Sequence, residues 1–306
     1  MRSRHAAGLS GGAGLVAVHL DAHRSLSTSP TTVRRAPTQS SGPVSSEPLS
    51  FERVGDGVAV VSNNDEPLGR MTLAFVERLS EVVDEIARDD DIRAFVITTA
   101  GSSNFSVGMD LTELPEGIER AGGIDAFFDA RLDVIARIET MGKPSVATLF
   151  GYCLGGGLEI PLGCTFRLAA AHGAKIGLPE MHLGTTPAWG GSARLAKTVG
   201  RATALDMILR AKRLDGPQAL GIGLVHEVWP LGDVKERAVA LATELASQPR
   251  LAVRAMLSAL HDSEHRTLDD LLAAERAAVH ETVGSADARE GIQAFLEKRE
   301  PRFNRR

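Results

Sequence analysis

Cysteine is scarce in this chain of 306 residues, which contains only Cys153 and Cys164. Two cysteines are too few for the disulfide framework of a small secreted domain, and their spacing does not match that of a metal site. We therefore expect both to be small buried apolar side chains, and we expect no metal ion. The sequence also lacks an apolar run long enough to span a bilayer, so no membrane partner is predicted.

Lysine and arginine form no long run in the folded region, and the formal net charge is −5. Domains that bind nucleic acid usually carry a basic stripe or patch, so nucleic acid is not favoured as the main partner. The rest of the composition, with 43% hydrophobic and 24% charged residues, is ordinary for a globular protein. A chain of this length can bury a core without covalent crosslinks.

Acidic residues are scarce in the first 46 positions, where Asp21 is the only one beside five arginines. This stretch is rich in Ser, Thr, Pro and Gly, and we predict that it forms a leader outside the folded part. An arginine-rich, acid-poor leader is typical of an organelle transit peptide, which would place the protein in the mitochondrial matrix. The stretch lacks a clear amphipathic helix, so we favour a disordered extension of a cytoplasmic bacterial protein.

Apolar patterning begins at about residue 52. Residues 58–61 and 94–97 are short runs typical of buried strands, and residues 72–88 between them have apolar side chains at helical spacing. A strand, a helix and a strand in this order predict a β-α-β unit, a mostly parallel sheet and the α/β class.

Further elements follow the same signals. A helix is predicted at residues 124–141, a strand leads into Phe150, and another strand covers residues 166–170. After Pro187 the chain is predicted to be helical nearly to its end. The helices expected there cover residues 203–212, 233–246, 251–261, 268–280 and 287–297. We divide the folded part into a catalytic core, residues 47–248, and a C-terminal helical region for oligomerisation, residues 249–306.

Three consecutive glycines, residues 155–157, follow the apolar run that ends at Phe150. Glycines at a turn from a strand into a helix allow close approach to a ligand, and the start of the helix favours negative charge. Glu159 comes next, and Glu180 follows after Pro179. This segment therefore offers a backbone anion site with two acid/base groups. The alternatives are that the glycines allow tight packing, that Glu159 stabilises the first helical turn, and that Glu180 is a loop carboxylate.

Several separated motifs together resemble the enoyl-CoA hydratase/isomerase (crotonase) superfamily. These motifs are SVGMDL at 106–111, GYCLGGGLE at 151–159, LPEMHLGTTPAWGG at 178–191 and AREGIQAFLEKR at 288–299. Their order and approximate spacing match over about residues 52–303. The resemblance implies a spiral of β-β-α turns with a C-terminal helical region. It also implies a homotrimer, or a dimer of trimers, built by the C-terminal helices.

The resemblance also implies a reaction and the residues that perform it. In this family, two backbone N–H groups form an oxyanion hole for the thioester oxygen, and they match Met109 and Gly156. Glu159 would activate the water that attacks Cβ, and Glu180 would deliver a proton to Cα. The expected reaction is hydration of a 2-enoyl-CoA to a 3-hydroxyacyl-CoA. The acyl-CoA thioester is the expected partner, and no cofactor is expected because CoA is part of the substrate.

Six further residues are predicted to bind substrate. They are Ser106, Val107, Gly108, Asp110, Trp189 and Lys298. Asp110 could instead bond its own loop, Trp189 could pack in the core, and Lys298 could be a solvated lysine at a helix end.

Two other functions stay open at this point. A double-bond isomerase on the same scaffold would use Glu180 to move a proton between carbons. A non-catalytic family member would bind CoA or RNA without turnover. The presence of both Glu159 and Glu180 favours the hydratase, because many other branches of the superfamily have lost one of these two glutamates.

Overall fold

The computed structural model describes residues 47–261 and 263–304. The predicted leader, residues 1–46, lies outside the described residues. The strands are β1 (Leu49–Val54), β2 (Val58–Asn63), β3 (Arg70–Met71), β4 (Ala94–Thr99), β5 (Gly108–Met109), β6 (Ser145–Leu149), β7 (Tyr152–Leu154), β8 (Phe166–Ala170), β9 (Lys175–Gly177) and β10 (Glu227–Trp229).

Helices make up most of the remaining structure. The α-helices are α1 (Leu73–Arg88), α2 (Leu114–Ala121), α3 (Ile124–Thr140), α4 (Gly156–Leu162), α5 (Gly191–Val199), α6 (Arg201–Leu209), α7 (Gly216–Gly221), α8 (Val234–Ser247), α9 (Arg250–Leu260), α10 (Leu268–Thr282) and α11 (Ala286–Glu297). Short 3-10 helices cover Leu111–Glu113, Glu180–Leu183 and Ser263–His265. In the described part of the chain, no helix is long and apolar enough to cross a bilayer.

The main sheet has six strands in the order β1-β2-β4-β6-β8-β10. β1 is antiparallel to β2, and all other neighbours are parallel. All six residues of β4 are buried, as expected for a parallel strand that is covered on both faces. The predicted strands at 58–61, 94–97 and 166–170 are confirmed as β2, β4 and β8, and the mostly parallel sheet is confirmed with them.

Short second strands organise the chain into β-β-α turns. β2, β4, β6 and β8 are each followed by a strand of two or three residues, namely β3, β5, β7 and β9. These short strands form two small parallel sheets, β3 with β5 and β7 with β9. An isolated parallel bridge between Ser106 and Cys153 joins the β5 and β7 regions. The loops that follow β5 and β7 are therefore brought side by side.

The helices that cover the sheet follow the predicted apolar spacing. The predicted helix at 72–88 is confirmed as α1, which begins where the Thr72 hydroxyl accepts a hydrogen bond from the Phe75 N–H. α8 lies against the strands of the main sheet. It buries Val234, Ala238, Ala242 and Ala246 completely, and this spacing of four residues puts small side chains on one face. Both cysteines are buried and free, as predicted.

The prediction of a helical chain from Pro187 nearly to the end was wrong at β10. Glu227–Trp229 pairs in parallel with β8 and forms the edge of the main sheet. Three residues are too few to show strand periodicity, and it is the partner strand that fixes their conformation. The other elements agree with the predictions to within a few residues. The predicted helix at 124–141 is α3, and the five predicted C-terminal helices correspond to α6, α8, α9, α10 and α11.

Candidate active site

The glycine turn leads from a strand into a helix, as predicted, but the strand is the short β7, which was not predicted, and the helix is α4. Gly155 has φ +55°, a left-handed conformation that glycine adopts without the strain of a side chain. A Cβ atom at this position would lie 3.0 Å from Oε1 of Glu180, so the turn also needs the free space. Gly156 is the first residue of α4, and its N–H group therefore has no acceptor within the helix.

A second backbone segment lies against this turn. β5, which contains Gly108 and Met109, pairs in parallel with β3. Gly108 has φ +101°, and a Cβ there would lie 2.8 Å from the carbonyl oxygen of Leu154 and 3.6 Å from the nitrogen of Gly156. The close approach of the two segments depends on this glycine. Met109 and Gly156, the predicted oxyanion-hole residues, both line the same cavity.

That cavity has a volume of about 160 Å³. Its walls are mostly apolar, and both predicted catalytic glutamates belong to them. The lining residues are Val107, Gly108, Met109, Leu111, Leu114, Phe128, Gly155, Gly156, Glu159, Pro179, Glu180, Leu183, Thr185, Thr186, Ala188 and Trp189. An apolar cavity with a few polar groups that converge on it is the usual form of a small-molecule site.

Glu159 lies in the first turn of α4 with an exposed fraction of 3%. Its Oε1 atom accepts hydrogen bonds from the backbone N–H groups of Trp189, at 2.8 Å, and Gly191, at 2.9 Å. Burial raises the pKa of Glu159 from 4.5 to about 7, although these two donors act in the opposite direction. The nearby charge of Glu180 also raises it. A carboxyl group with this pKa can hold or release a proton near neutral pH.

Glu180 is the first residue of the 3-10 helix Glu180–Leu183. Its Oε2 atom is buried and has no hydrogen-bond partner among the described residues. Burial raises the pKa of this carboxyl group above its ordinary value. A buried carboxyl oxygen without a partner is costly to leave unsatisfied, which makes it a candidate for contact with a ligand.

The other predicted substrate-binding residues divide into two groups. Val107, Gly108 and Trp189 line the cavity, and Trp189 is also buried in the core. Ser106, Asp110 and Lys298 do not line it. The Ser106 hydroxyl accepts a hydrogen bond from the Gly108 N–H at 3.0 Å, so it supports the loop. Lys298 ends α11 in a left-handed conformation. Substrate binding by these residues stays a prediction.

Asp110 and a residue that the sequence analysis missed, Arg70, hold the Met109 segment together. Asp110 Oδ1 accepts hydrogen bonds from the N–H and the hydroxyl of Thr112, and Asp110 Oδ2 accepts one from Arg70 at 3.0 Å. The bonds from Thr112 are the main reason that the pKa of Asp110 is lowered. Arg70 also forms an ion pair with Asp65 at 2.8 Å. A lone arginine beside a two-residue strand gave no sequence signal for this role.

Comparison with known proteins adds to this geometry. The chain matches the family model described as enoyl-CoA hydratase/isomerase over residues 53–306. It is 35% identical over 249 residues to the probable enoyl-CoA hydratase of Bacillus subtilis, covering 80% of this chain and 95% of that protein. It is 31% identical over 249 residues to the short-chain-enoyl-CoA hydratase of Clostridium acetobutylicum, covering 81% and 94%.

A solved structure shows the same fold. The enoyl-CoA hydratase of Geobacillus kaustophilus matches with a TM-score of 0.79 and 30% identity, covering 85% of this chain and 97% of that one. The spiral of β-β-α turns is therefore the crotonase fold, as predicted. This chain belongs to the enoyl-CoA hydratase/isomerase family, which confirms the resemblance drawn from its motifs. The relatives' names support a crotonase-type enzymatic activity.

Proposed function

We propose that this protein adds water to a 2-enoyl-CoA thioester and forms a 3-hydroxyacyl-CoA. The observation that carries the proposal is the position of Glu159 and Glu180 on one cavity together with Met109 and Gly156. The names of the relatives from Bacillus subtilis and Clostridium acetobutylicum, both hydratases, agree with it. CoA is part of the substrate in this reaction, and we propose no separate cofactor.

The thioester oxygen would accept hydrogen bonds from the N–H groups of Met109 and Gly156. Addition of water at Cβ moves electrons toward this oxygen, so negative charge develops there as the C–O bond forms. Donors already aimed at that position stabilise the charge without reorganisation, and one such donor is worth about 3 kcal/mol. The start of α4 adds its partial positive charge at the same place.

The two carboxyl groups would divide the proton transfers. Glu159 takes a proton from the water as its oxygen attacks Cβ, and Glu180 gives a proton to Cα. Two N–H donors stabilise the ionised form of Glu159, which suits a base. The unpartnered buried oxygen of Glu180 favours its protonated form, which suits an acid. Each group ends in the opposite protonation state, and proton exchange with solvent resets both.

Crotonyl-CoA and two variants test this proposal. We expect purified protein to remove the ultraviolet absorbance of the conjugated enoyl thioester and to produce 3-hydroxybutyryl-CoA. Glu159→Gln and Glu180→Gln keep the shape of each side chain but remove its proton transfer. Each should lower kcat by about 100-fold or more, the contribution typical of general acid–base catalysis. If both variants hydrate crotonyl-CoA at the wild-type rate, the assignment of roles is wrong.

A double-bond isomerase is the second candidate. It needs one carboxyl group that carries a proton between Cα and Cγ, and the unpartnered oxygen of Glu180 could do this alone. A 3-enoyl-CoA substrate separates the two activities, because isomerisation creates the conjugated absorbance that hydration removes. The position of Glu159 on the same cavity favours hydration. A family member that binds CoA or RNA without catalysis would show neither change.

We also propose that the protein assembles into a homotrimer or a dimer of trimers through residues 249–306. Large apolar side chains of α10 and α11 support this proposal, because they are exposed in the single chain.

A further inference from the structure

Arg131 is a charged side chain on the inner face of α3, with an exposed fraction of only 6%. Its guanidinium donates one hydrogen bond, from Nη1 to the carbonyl oxygen of Phe127 at 2.7 Å. Its Nε atom is buried and has no hydrogen-bond partner among the described residues. Burial lowers the pKa of Arg131 to about 10, so the side chain is still charged at neutral pH.

No carboxylate of the described residues forms an ion pair with this charge. The guanidinium carbon lies 3.3 Å from the centroid of the Phe127 ring, and that aromatic face gives partial compensation. A buried charge is normally paired with an opposite charge, because leaving it unpaired is strongly unfavourable. Arg131 is therefore better explained as half of an ion pair whose other half is a ligand.

A second cavity, of about 390 Å³, lies beside Arg131 between α1, α2 and α3. Most of its walls are apolar, and its other charged residues are Glu77 and Arg120. Glu77 forms an ion pair with Arg120 at 2.6 Å; its charge also acts on Arg131 and raises the pKa of that side chain, but the two groups form no direct ion pair. The pair is more than half exposed, whereas Arg131 is buried. An anion that entered this cavity would find Arg131 as the available cation.

The catalytic cavity and this second cavity share the same two helices. Leu114 of α2 and Phe128 of α3 line the first, and Gly117 and Arg131, three residues further along each helix, line the second. Residues three apart are neighbours on a helix surface, so the cavities lie about one turn apart. The guanidinium carbon of Arg131 is also 5.6 Å from the ring centroid of Trp189, a wall of the catalytic cavity.

We propose that Arg131 binds a carboxylate at the far end of the acyl group, so that the substrate is a 2-enoyl-CoA whose acyl chain ends in a carboxylate. This inference rests on the proposed hydration. In the proposed reaction the thioester oxygen would lie at Gly156, and the Trp189 ring lies 3.0 Å from the position of a Cβ on Gly156. An acyl chain that passes this ring would bring its last atoms to the guanidinium. A planar guanidinium can bind a carboxylate with two parallel hydrogen bonds.

The test compares pairs of 2-enoyl-CoAs of equal chain length, one ending in a methyl group and the other in a carboxylate. At the length that reaches Arg131, we expect wild-type kcat/KM to be higher for the carboxylate. Arg131→Met should lower kcat/KM for that substrate by about 100-fold, the loss typical when one partner of a buried charge pair is removed. The loss should be much smaller for the methyl-terminated substrate of equal length, so the preference for the carboxylate should disappear. Arg131→Lys should recover part of the loss.

Arg78→Met is the control, because Arg78 lies on α1 outside this cavity, is paired with Glu81, and leaves the Glu77–Arg120 pair intact. It should leave the ratio of kcat/KM between the carboxylate-terminated and methyl-terminated substrates unchanged. The inference is overturned if the wild type prefers the methyl-terminated substrate at every length, or if Arg131→Met leaves the preference unchanged. Calorimetry could show that free dicarboxylates bind at Arg131 while the kinetics show no preference for the carboxylate-terminated substrate. In that case the assignment of the bound carboxylate to the acyl chain is wrong. If the wild type hydrates neither the methyl-terminated nor the carboxylate-terminated 2-enoyl-CoAs, the proposed function itself is rejected, which keeps the two outcomes separate.

Discussion

Glu159 combines near-complete burial with two backbone donors on a single oxygen atom. Burial has the larger effect and raises its pKa from 4.5 to about 7. Between these two values, the folded protein holds a proton that the unfolded chain has released. The free energy of unfolding therefore falls as pH rises through this window, and it does not change further above the folded pKa.

We expect this single group to lower the free energy of unfolding by about 3 kcal/mol between pH 4.5 and pH 7. Glu159→Gln is the reference, because glutamine cannot ionise and can still accept the hydrogen bonds from Trp189 and Gly191. Urea unfolding of both proteins across this pH range, at one protein concentration, gives the difference directly. A difference in stability that does not vary with pH would mean that the Glu159 carboxyl group titrates normally.

Gly191 leaves the space that the Glu159 side chain occupies. A Cβ at this position would lie 2.7 Å from both Cγ and Oε1 of Glu159. Gly191 begins α5, where alanine suits a helix, but the added methyl group would crowd the buried Glu159 side chain, so Gly191→Ala should cost about 1–3 kcal/mol of stability. It should displace the Glu159 carboxyl group and lower kcat with crotonyl-CoA by about 10- to 100-fold, since small misplacements have such effects.

Gly221→Ala is the matched control for this substitution. Gly221 ends α7, and a Cβ there would meet no atom within 4 Å. Steady-state kinetics and thermal unfolding of both variants separate a change in geometry from a change in stability. A wild-type kcat for Gly191→Ala would show that the exact position of the Glu159 carboxyl group does not limit the reaction.

At the scale of elements, the pairing of β3 with β5 positions Met109. One arginine, Arg70, connects the residues before β3 to the residue after β5. Arg70 begins β3 and binds Asp65 before it and Asp110 just after β5. The pKa of Arg70 is raised, first by its hydrogen bond with Asp65. Arg70 is half exposed, so this network should contribute little to global stability. We infer that its role is to fix the Met109 N–H opposite the first turn of α4.

A double-mutant cycle on Arg70→Met and Asp110→Asn measures this role. Each single change should lower kcat/KM by about 10-fold, and the double variant should lose little more than either, because both break one interaction. Arg53→Met is the control, since Arg53 is similarly exposed and forms an ion pair with Asp89. It should leave kcat/KM unchanged. Effects that add fully in the double variant would contradict the proposed link between Arg70 and Asp110.

Most helices and strands that are long enough for their apolar residues to recur at a helical or strand period could be predicted from the sequence. α1, β4 and α3 carry apolar patterns long enough to identify, and their bounds came within a few residues. β3, β5, β7 and β10 could not be identified, because two or three residues carry no period and their conformation depends on a partner strand. Such short strands bring the Met109 segment to the glycine turn.

In the whole molecule, too, the sequence predicts only what a continuous stretch of residues encodes. Glu159, Glu180 and the glycine turn could be predicted because they lie in contiguous motifs. Arg70 and Arg131 could not be predicted as residues near the candidate site, because their contacts with Asp110 and Trp189 join parts of the chain that are far apart in sequence. Arg131 is an example: nothing in the helix 124–141 distinguishes it from a surface arginine, yet the fold buries it and brings it within 5.6 Å of the Trp189 ring. Backbone and tertiary contacts of this kind have no local signature.

The C-terminal helices carry the last prediction at the scale of the molecule. On α10, Leu268, Leu272 and Val279 are exposed, as is Val283 directly after it, and their spacing places them along one side of the helix. Phe295 of α11 has an exposed fraction of 82%. Large apolar side chains in contiguous patches usually mark an interface, and burying one such side chain contributes about 1.5–3 kcal/mol.

We therefore expect light scattering to give a mass of three or six chains for the wild type. Phe295→Asp should shift the protein to smaller species at micromolar concentration, because a buried unpaired carboxylate opposes association. Leu231→Asp is the control, since Leu231 is 49% exposed in the turn before α8 and lies outside residues 249–306. A monomeric wild type, or equal masses for all three proteins, would contradict assembly through α10 and α11. Because a closed symmetric ring buries the same patch on every subunit, one substitution should weaken every interface at once.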